Sequence, residues 1–164
     1  MQKTRNPLIF VIEDTVVFKD LIIGYLKSKK FTNLKTYTKG QDCLKDIHLK
    51  PDLIILNYSS EGLTGLELMK KVHEEHPDID FIFLSGQNNV EVAVKIMKLG
   101  AADYIVKNDR APHNLVQSIE QLVSTVKKEK MAKGFKIGVV GFFVILFIFI
   151  MAILLMSIFF QLEF

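Results

Sequence analysis

Apolar and polar positions along this chain follow two periods, and the switches between them predict five strands alternating with five helices. Leu8-Ile-Phe-Val-Ile12 is a short continuous apolar run that ends at Glu13-Asp14, as expected of a strand buried on both faces. Apolar residues then recur at positions 18, 21, 22, 25 and 26, one face of a helix that Asp14 or Thr15 is placed to cap. Leu34 to Thr38 alternates like a strand at a sheet edge. Gly40 opens a short helix reaching about Leu49, and Pro51 stops it. The unbroken Leu53-Ile-Ile-Leu56 is a third, fully buried strand ending at Asn57. Gly62 and Gly65 supply a flexible loop and the approach to a helix running to about Glu75. Phe81 to Leu84 is a further apolar run, closed by Ser85. Asn88 or Asn89 caps a fourth helix with Val90, Val94, Met97 and Ala93 inward and Gly100 at its end. A fifth strand leads to Lys107, and Pro112 suits the first turn of a fifth helix.

This order implies a doubly wound α/β fold, a five-stranded parallel sheet covered by helices on both faces. Sites in such folds form beyond the carboxyl ends of the strands, where strand order reverses. Glu13, Asp14, Asn57, Ser85 and Lys107 all fall at those ends, so they converge on one pocket.

The last segment is a different material. Ile137 to Phe160 runs without a charge, and Ser157 is its one strongly polar side chain. As a helix it spans about 36 Å, enough for a hydrocarbon core of about 30 Å. A buried core helix needs neither that length nor an apolar surface all round. The division is therefore a globular domain over 1–126, a basic juxtamembrane segment over 127–136, a transmembrane helix over 137–160 and a short tail over 161–164.

Charge sharpens that division. Basic and acidic residues balance over 1–126, and the net charge of +3 comes from lysines 127, 128, 130, 133 and 136 set against Glu129 and Glu163. A lysine collar just before a span keeps the preceding domain in the cytoplasm and attracts anionic membrane lipid. It is no field for steering nucleic acid, and nothing after residue 126 forms a helix-turn-helix, so no nucleic-acid partner is expected. Gly134 and Gly138 form a small-xxx-small pair, a surface for a homodimer.

Cys43 is the lone cysteine. It excludes an internal disulfide and reads as a half-buried small apolar residue. His73 and His76 read as a solvated last helical turn before Pro77, and with His48 and His113 they offer no metal-ligand pattern.

Taken together, these motifs resemble the response-regulator receiver domain over roughly residues 6–126. That resemblance implies a flavodoxin-like strand order 2-1-3-4-5 and participation in two-component signal transduction. In the family an acidic pair holds Mg²⁺, here Glu13 and Asp14. Ser85 stands at the switch Thr/Ser, Tyr104 at the switch aromatic and Lys107 at the pocket lysine. The acceptor position, an Asp that takes a phosphoryl group from a histidine kinase, is Asn57 here. Further departures are Ser60-Glu61 in place of a Met-Pro pair and Asn108 in place of a proline after the lysine.

A carboxylate oxygen can attack phosphorus; a carboxamide has the shape without the charge. The formal charge of the pocket, Lys107 included, falls from −2 to −1 on that exchange, so Mg²⁺ is expected to bind weakly and no other cofactor is expected. Lys107 is expected to pair with Glu13 or Asp14. The neighbouring hydroxyls of Tyr58, Ser59 and Ser60 do not occupy the in-line position.

The chain is thus expected to be no enzyme but a non-phosphorylatable, membrane-tethered pseudo-receiver acting through protein–protein interaction. Its partner would be a histidine kinase, a phosphotransfer protein or another receiver, met on the fourth helix–fifth strand–fifth helix face that carries Tyr104. Two other readings stay open. One is a phosphoacceptor receiver whose Asp was deliberately changed to Asn57. The other is a structural cap on a membrane oligomer.

Overall fold

The computed structural model describes residues 6–58, 64–125, 142–148 and 151. The chain divides into two compact units, Met1–Ser124 and Thr125–Phe164. In the first, β1 (Ile9–Ile12), β2 (Leu34–Tyr37), β3 (Leu53–Asn57), β4 (Asp80–Ser85) and β5 (Asp103–Val106) alternate with α1 (Val16–Ser28), α2 (Gly40–Lys45), α3 (Gly65–Glu75) and α4 (Val90–Lys98). A fifth helix, α5, covers 111–125. The strands form one sheet in the order β2-β1-β3-β4-β5, and every pairing is parallel.

Side chains alternate across a strand, so each buried run feeds two cores. Val11, Ile55, Ile82 and Leu84 face α1 and α5, meeting Ile22, Leu26, Leu115 and Ile119. Phe10, Ile54, Leu56, Phe81 and Phe83 face the opposite way, onto Leu68, Met69 and Val72 of α3 and Ile96 of α4. Because both faces are covered, β1 and β3 are buried at every position.

α3 approaches the sheet closely. A Cβ on Gly65 would lie 2.7 Å from Cδ1 of Leu56 and 3.0 Å from the ring of Phe83, so only glycine fits the first turn there. A capping box starts the same helix: Thr64 Oγ1 accepts from the Glu67 amide at 3.3 Å, and Glu67 Oε2 accepts from the Thr64 amide at 2.9 Å. Gly100 closes α4 at a φ of +101°, in the region that favours glycine.

Several expectations are corrected. The second helix does not run to Leu49: α2 ends at Lys45 and a separate 3₁₀ turn covers Ile47–Leu49. Thr15 is the residue before α1, yet its side chain makes no cap hydrogen bond. Leu21 is not on the buried face of α1 but half exposed. In α4, Val90, Val94 and Met97 point outward, and Val92 and Ile96 pack on the sheet. Apolar residues cover more than half of the circumference of α4, with Glu91, Lys95 and Lys98 on the remainder, so helical spacing fits two faces, and the sheet selects the one carrying Ile96. Cys43 is fully rather than half buried, and burial pushes its thiol up to about 12. His73 is not simply solvated; its Nε2 lies 2.9 Å from the Ile79 carbonyl and its ring stands edge-on to Phe81.

The loop residues Ser59, Ser60, Glu61 and Gly62 and the lysine collar lie outside the described residues. Of the span read over 137–160, residues 142–148 and 151 are described, and they are helical and exposed. Among the described residues, no helix is long and apolar enough to cross a membrane.

Candidate functional site

Parallel pairing brings all carboxyl ends of the strands to one edge of the sheet. Leu56 lies level with Ile12, Asn57 with Leu84 and Ser85 with Val106. The residues that follow or end β1, β3, β4 and β5 are Glu13-Asp14, Asn57, Ser85 and Lys107, and they meet there as the topology requires. Glu13, Asn57 and Ser85 are buried; Asp14 and Lys107 are half buried.

Direct contacts join the acids to the other strand ends. Asn57 Nδ2 donates to Asp14 Oδ1 at 2.9 Å. The nitrogen must face the acid, because an ionised carboxylate only accepts. Lys107 Nζ pairs with Glu13 Oε2 at 2.6 Å, while Glu13 Oε1 accepts from the Thr15 amide at 3.1 Å. The lysine therefore chooses Glu13 over Asp14. Its ammonium also lies 4.7 Å from the centre of the Phe18 ring, within range of a cation–π attraction.

Electrostatics follow from this wiring. Burial pushes the Asp14 carboxyl up, but its side-chain contacts with Glu13 and Asn57 and the charge of Lys107 outweigh it, leaving the group below its ordinary value. Asp14 is thus an anion held in place by a neutral donor where the family would place a second anion.

Ser85 and Tyr104 are linked through a residue the sequence did not single out. Ser85 Oγ accepts from the Gln87 amide at 3.1 Å and donates to the Gln87 carbonyl at 3.3 Å. Tyr104 Oη donates to that same carbonyl at 2.9 Å. The backbone holds β5 in step, since the Lys107 amide donates to the Ser85 carbonyl at 2.7 Å. Gln87 contributes only main-chain atoms, so no side-chain pattern could reveal it. Phe18 was legible as a core-face residue of α1, but its place over Lys107 was not.

Mg²⁺ requires octahedral oxygen coordination at about 2.0–2.1 Å. Here both oxygens of Glu13 are engaged, one oxygen of Asp14 is bonded to Asn57, and Asn57 turns a nitrogen donor into the pocket. Among the described residues no group of three or more His, Cys, Asp or Glu could hold a metal ion. This donor set does not fit Mg²⁺.

Comparison with known proteins agrees with the fold. Residues 9–120 match the family profile of the response regulator receiver domain. The transcriptional regulatory protein CssR of Bacillus subtilis (strain 168) is 31% identical over 121 residues, which make up 74% of this chain and 53% of CssR. The nitrogen assimilation regulatory protein NtrX of Azorhizobium caulinodans is 30% identical over 131 residues, 78% of this chain and 28% of that protein. This chain therefore spans about half the length of the first relative and under a third of the second. Among solved structures, the receiver domain of NtrX from Brucella abortus superposes with a TM-score of 0.64 at 30% identity, covering 71% of this chain and 98% of that one.

Proposed function

This chain belongs to the response-regulator receiver family of two-component signalling, and from that premise we propose that it accepts no phosphoryl group and signals by binding another protein. The observation that carries this reading is the Asn57–Asp14 hydrogen bond. An acceptor must present an oxygen anion to phosphorus. Asn57 presents an amide whose nitrogen is already spent on the acid beside it, so the chain performs no catalytic step.

With Lys107 held by Glu13 and Phe18, and with Ser85 and Tyr104 both held by Gln87, the pocket is a fixed scaffold for its surface. The partner is a signalling protein such as a histidine kinase, a phosphotransfer protein or another receiver. It meets the α4–β5–α5 face, where Val90, Val94 and Met97 are exposed and Tyr104 stands half buried. The tail supplies a membrane tether: the uncharged run from Ile137 to Phe160 has the length of a span, and the lysines before it favour a cytoplasmic domain. Tethering raises the effective concentration of partners at the same surface.

Capture of partners by the full chain, with and without Tyr104→Ala, tests the binding role, and incubation with acetyl phosphate tests the inert pocket. Loss of a captured protein in the variant and no labelling of the parent support the reading. Labelling of the parent sinks it. A second reading, a phosphoacceptor whose natural Asp has been exchanged for Asn57, is favoured by the placement of Glu13, Asp14, Ser85 and Lys107. The natural coding sequence at position 57 separates the two.

A further inference from the structure

α1 buries Ile22 and Leu26 against the sheet and leaves an apolar seam on its other side. Val17 is 80% exposed and Leu21 50% exposed, and Gly24 and Ser28 continue the same exposed line at helical spacing. Gly24 has no role inside the domain: a Cβ built on it would meet nothing within 4 Å. A glycine in a helix interior weakens the helix, so this position costs stability without any internal packing reason. What a bare position on an exposed apolar seam permits is the close approach of another helix.

Charge identifies which helix. Asp20 and Lys27 are both exposed and lie along one flank of the seam, two helical turns apart. Neither takes part in an ion pair among the described residues. When two copies of α1 cross antiparallel about a two-fold axis between residues 23 and 24, Asp20 and Lys27 lie equally far on either side. Each aspartate then faces the lysine of the other copy, and Leu21 of each copy falls within about one turn of the partner's Gly24. A self-complementary pattern of this kind favours a second copy of the chain over an unrelated helix.

We propose that the Val17–Leu21–Gly24–Ser28 seam of α1 is a two-fold interface between copies of this protein, with reciprocal Asp20–Lys27 pairs fixing its register. A seam of about three turns buries less than the roughly 800 Å² per partner of a stable complex. The pair is therefore weak in dilute solution and populated where chains are concentrated. It uses neither the pocket nor the α4 face, so it stands independently of the function proposed above.

The test is a disulfide cross-link in the full chain carrying Gly24→Cys, assayed in whichever fraction of the cell holds it. Cys43 is fully buried, so the introduced thiol is the reactive one. Mild oxidation is expected to give a covalent dimer, and Glu74→Cys on the exposed side of α3 to give little. Adding Asp20→Lys to Gly24→Cys turns two attractions into two repulsions and should cut the yield roughly tenfold; adding Lys27→Asp as well should restore it. Equal cross-linking at position 74, indifference to Asp20→Lys, or no recovery in the double reversal overturns the proposal. Occupation of the seam by a helix of another protein gives that last pattern.

Discussion

Asn57 Nδ2 and Asp14 Oδ1 are joined by a 2.9 Å hydrogen bond, which gives Asp14 a neutral partner at the place where an aspartate would repel it. One atom, nitrogen for oxygen, thereby turns the centre of the pocket from a centre of strain between acids into a point of attachment.

The first prediction follows from that exchange. Acetyl phosphate or beryllium fluoride with Mg²⁺ should leave the unmodified chain unchanged by phosphate gel shift and tyrosine fluorescence. Asn57→Asp adds one negative charge a few ångströms from a bound cation, worth about several kcal/mol before desolvation at an effective dielectric of about 20. Mg²⁺ affinity measured by calorimetry should rise at least about tenfold. Hydroxylamine-sensitive phosphate on the parent chain would contradict the inert pocket.

Glu13 is fully buried, and its compensation comes from Lys107. Lys107→Met should therefore destabilise the fold by about 3–5 kcal/mol, the usual effect of leaving one buried charge unpaired. The double variant Lys107→Met with Glu13→Gln should be less damaged than the single one. Urea denaturation of both variants measures the difference, and strict additivity would argue against the pair.

Asp14 is held below its ordinary value of 3.8, so its contribution has a defined pH window. A depressed carboxyl stabilises the native state above the unfolded value, and that contribution is lost as pH falls through the folded value. Asp14→Asn should thus lower stability near neutral pH and converge with the parent chain at strongly acidic pH. The measurement is midpoint against pH for both proteins; a gap that widens in acid would reverse the assignment.

Gly65→Ala should destabilise by about 1–3 kcal/mol, as overpacking does, because the new methyl would lie 2.7 Å from Leu56 Cδ1. Gly24→Ala, on an exposed and unfilled part of α1, should raise stability by up to about 1 kcal/mol. Opposite signs in parallel thermal unfolding experiments distinguish packing from helix propensity.

The proposed membrane tether is tested by fractionation. The full chain should remain with membranes through high salt and alkaline washing, and truncation after Lys136 should release it. Retention of the truncated form would place the attachment elsewhere.

The sheet was legible because its strands are buried on both faces and so read as unbroken apolar runs, Leu53 to Leu56 above all. Strand ends followed from the polar residues that stop those runs, which is why Glu13, Asp14, Asn57, Ser85 and Lys107 were placed together. Helix faces were less legible where the apolar arc is wider than one face. In α4, Val90, Val94 and Met97 have the same spacing as an inward face, and only contact with the sheet singles out Val92 and Ile96. The choice of Lys107 between Glu13 and Asp14 depended on side-chain reach, which sequence does not encode. The Thr64–Glu67 capping box was present as a Thr-x-x-Glu signature but was overshadowed by the glycines around it.

The Gln87 carbonyl has two lone pairs, and Ser85 and Tyr104 each occupy one. A protein that draws Tyr104 outward vacates one of them and removes a restraint on the Gln87 peptide, whose amide in turn holds Ser85. The Ser85 hydroxyl still holds both the amide and the carbonyl of Gln87, so such a loss stays local and a pocket that works as a fixed scaffold keeps its shape beneath a moving surface.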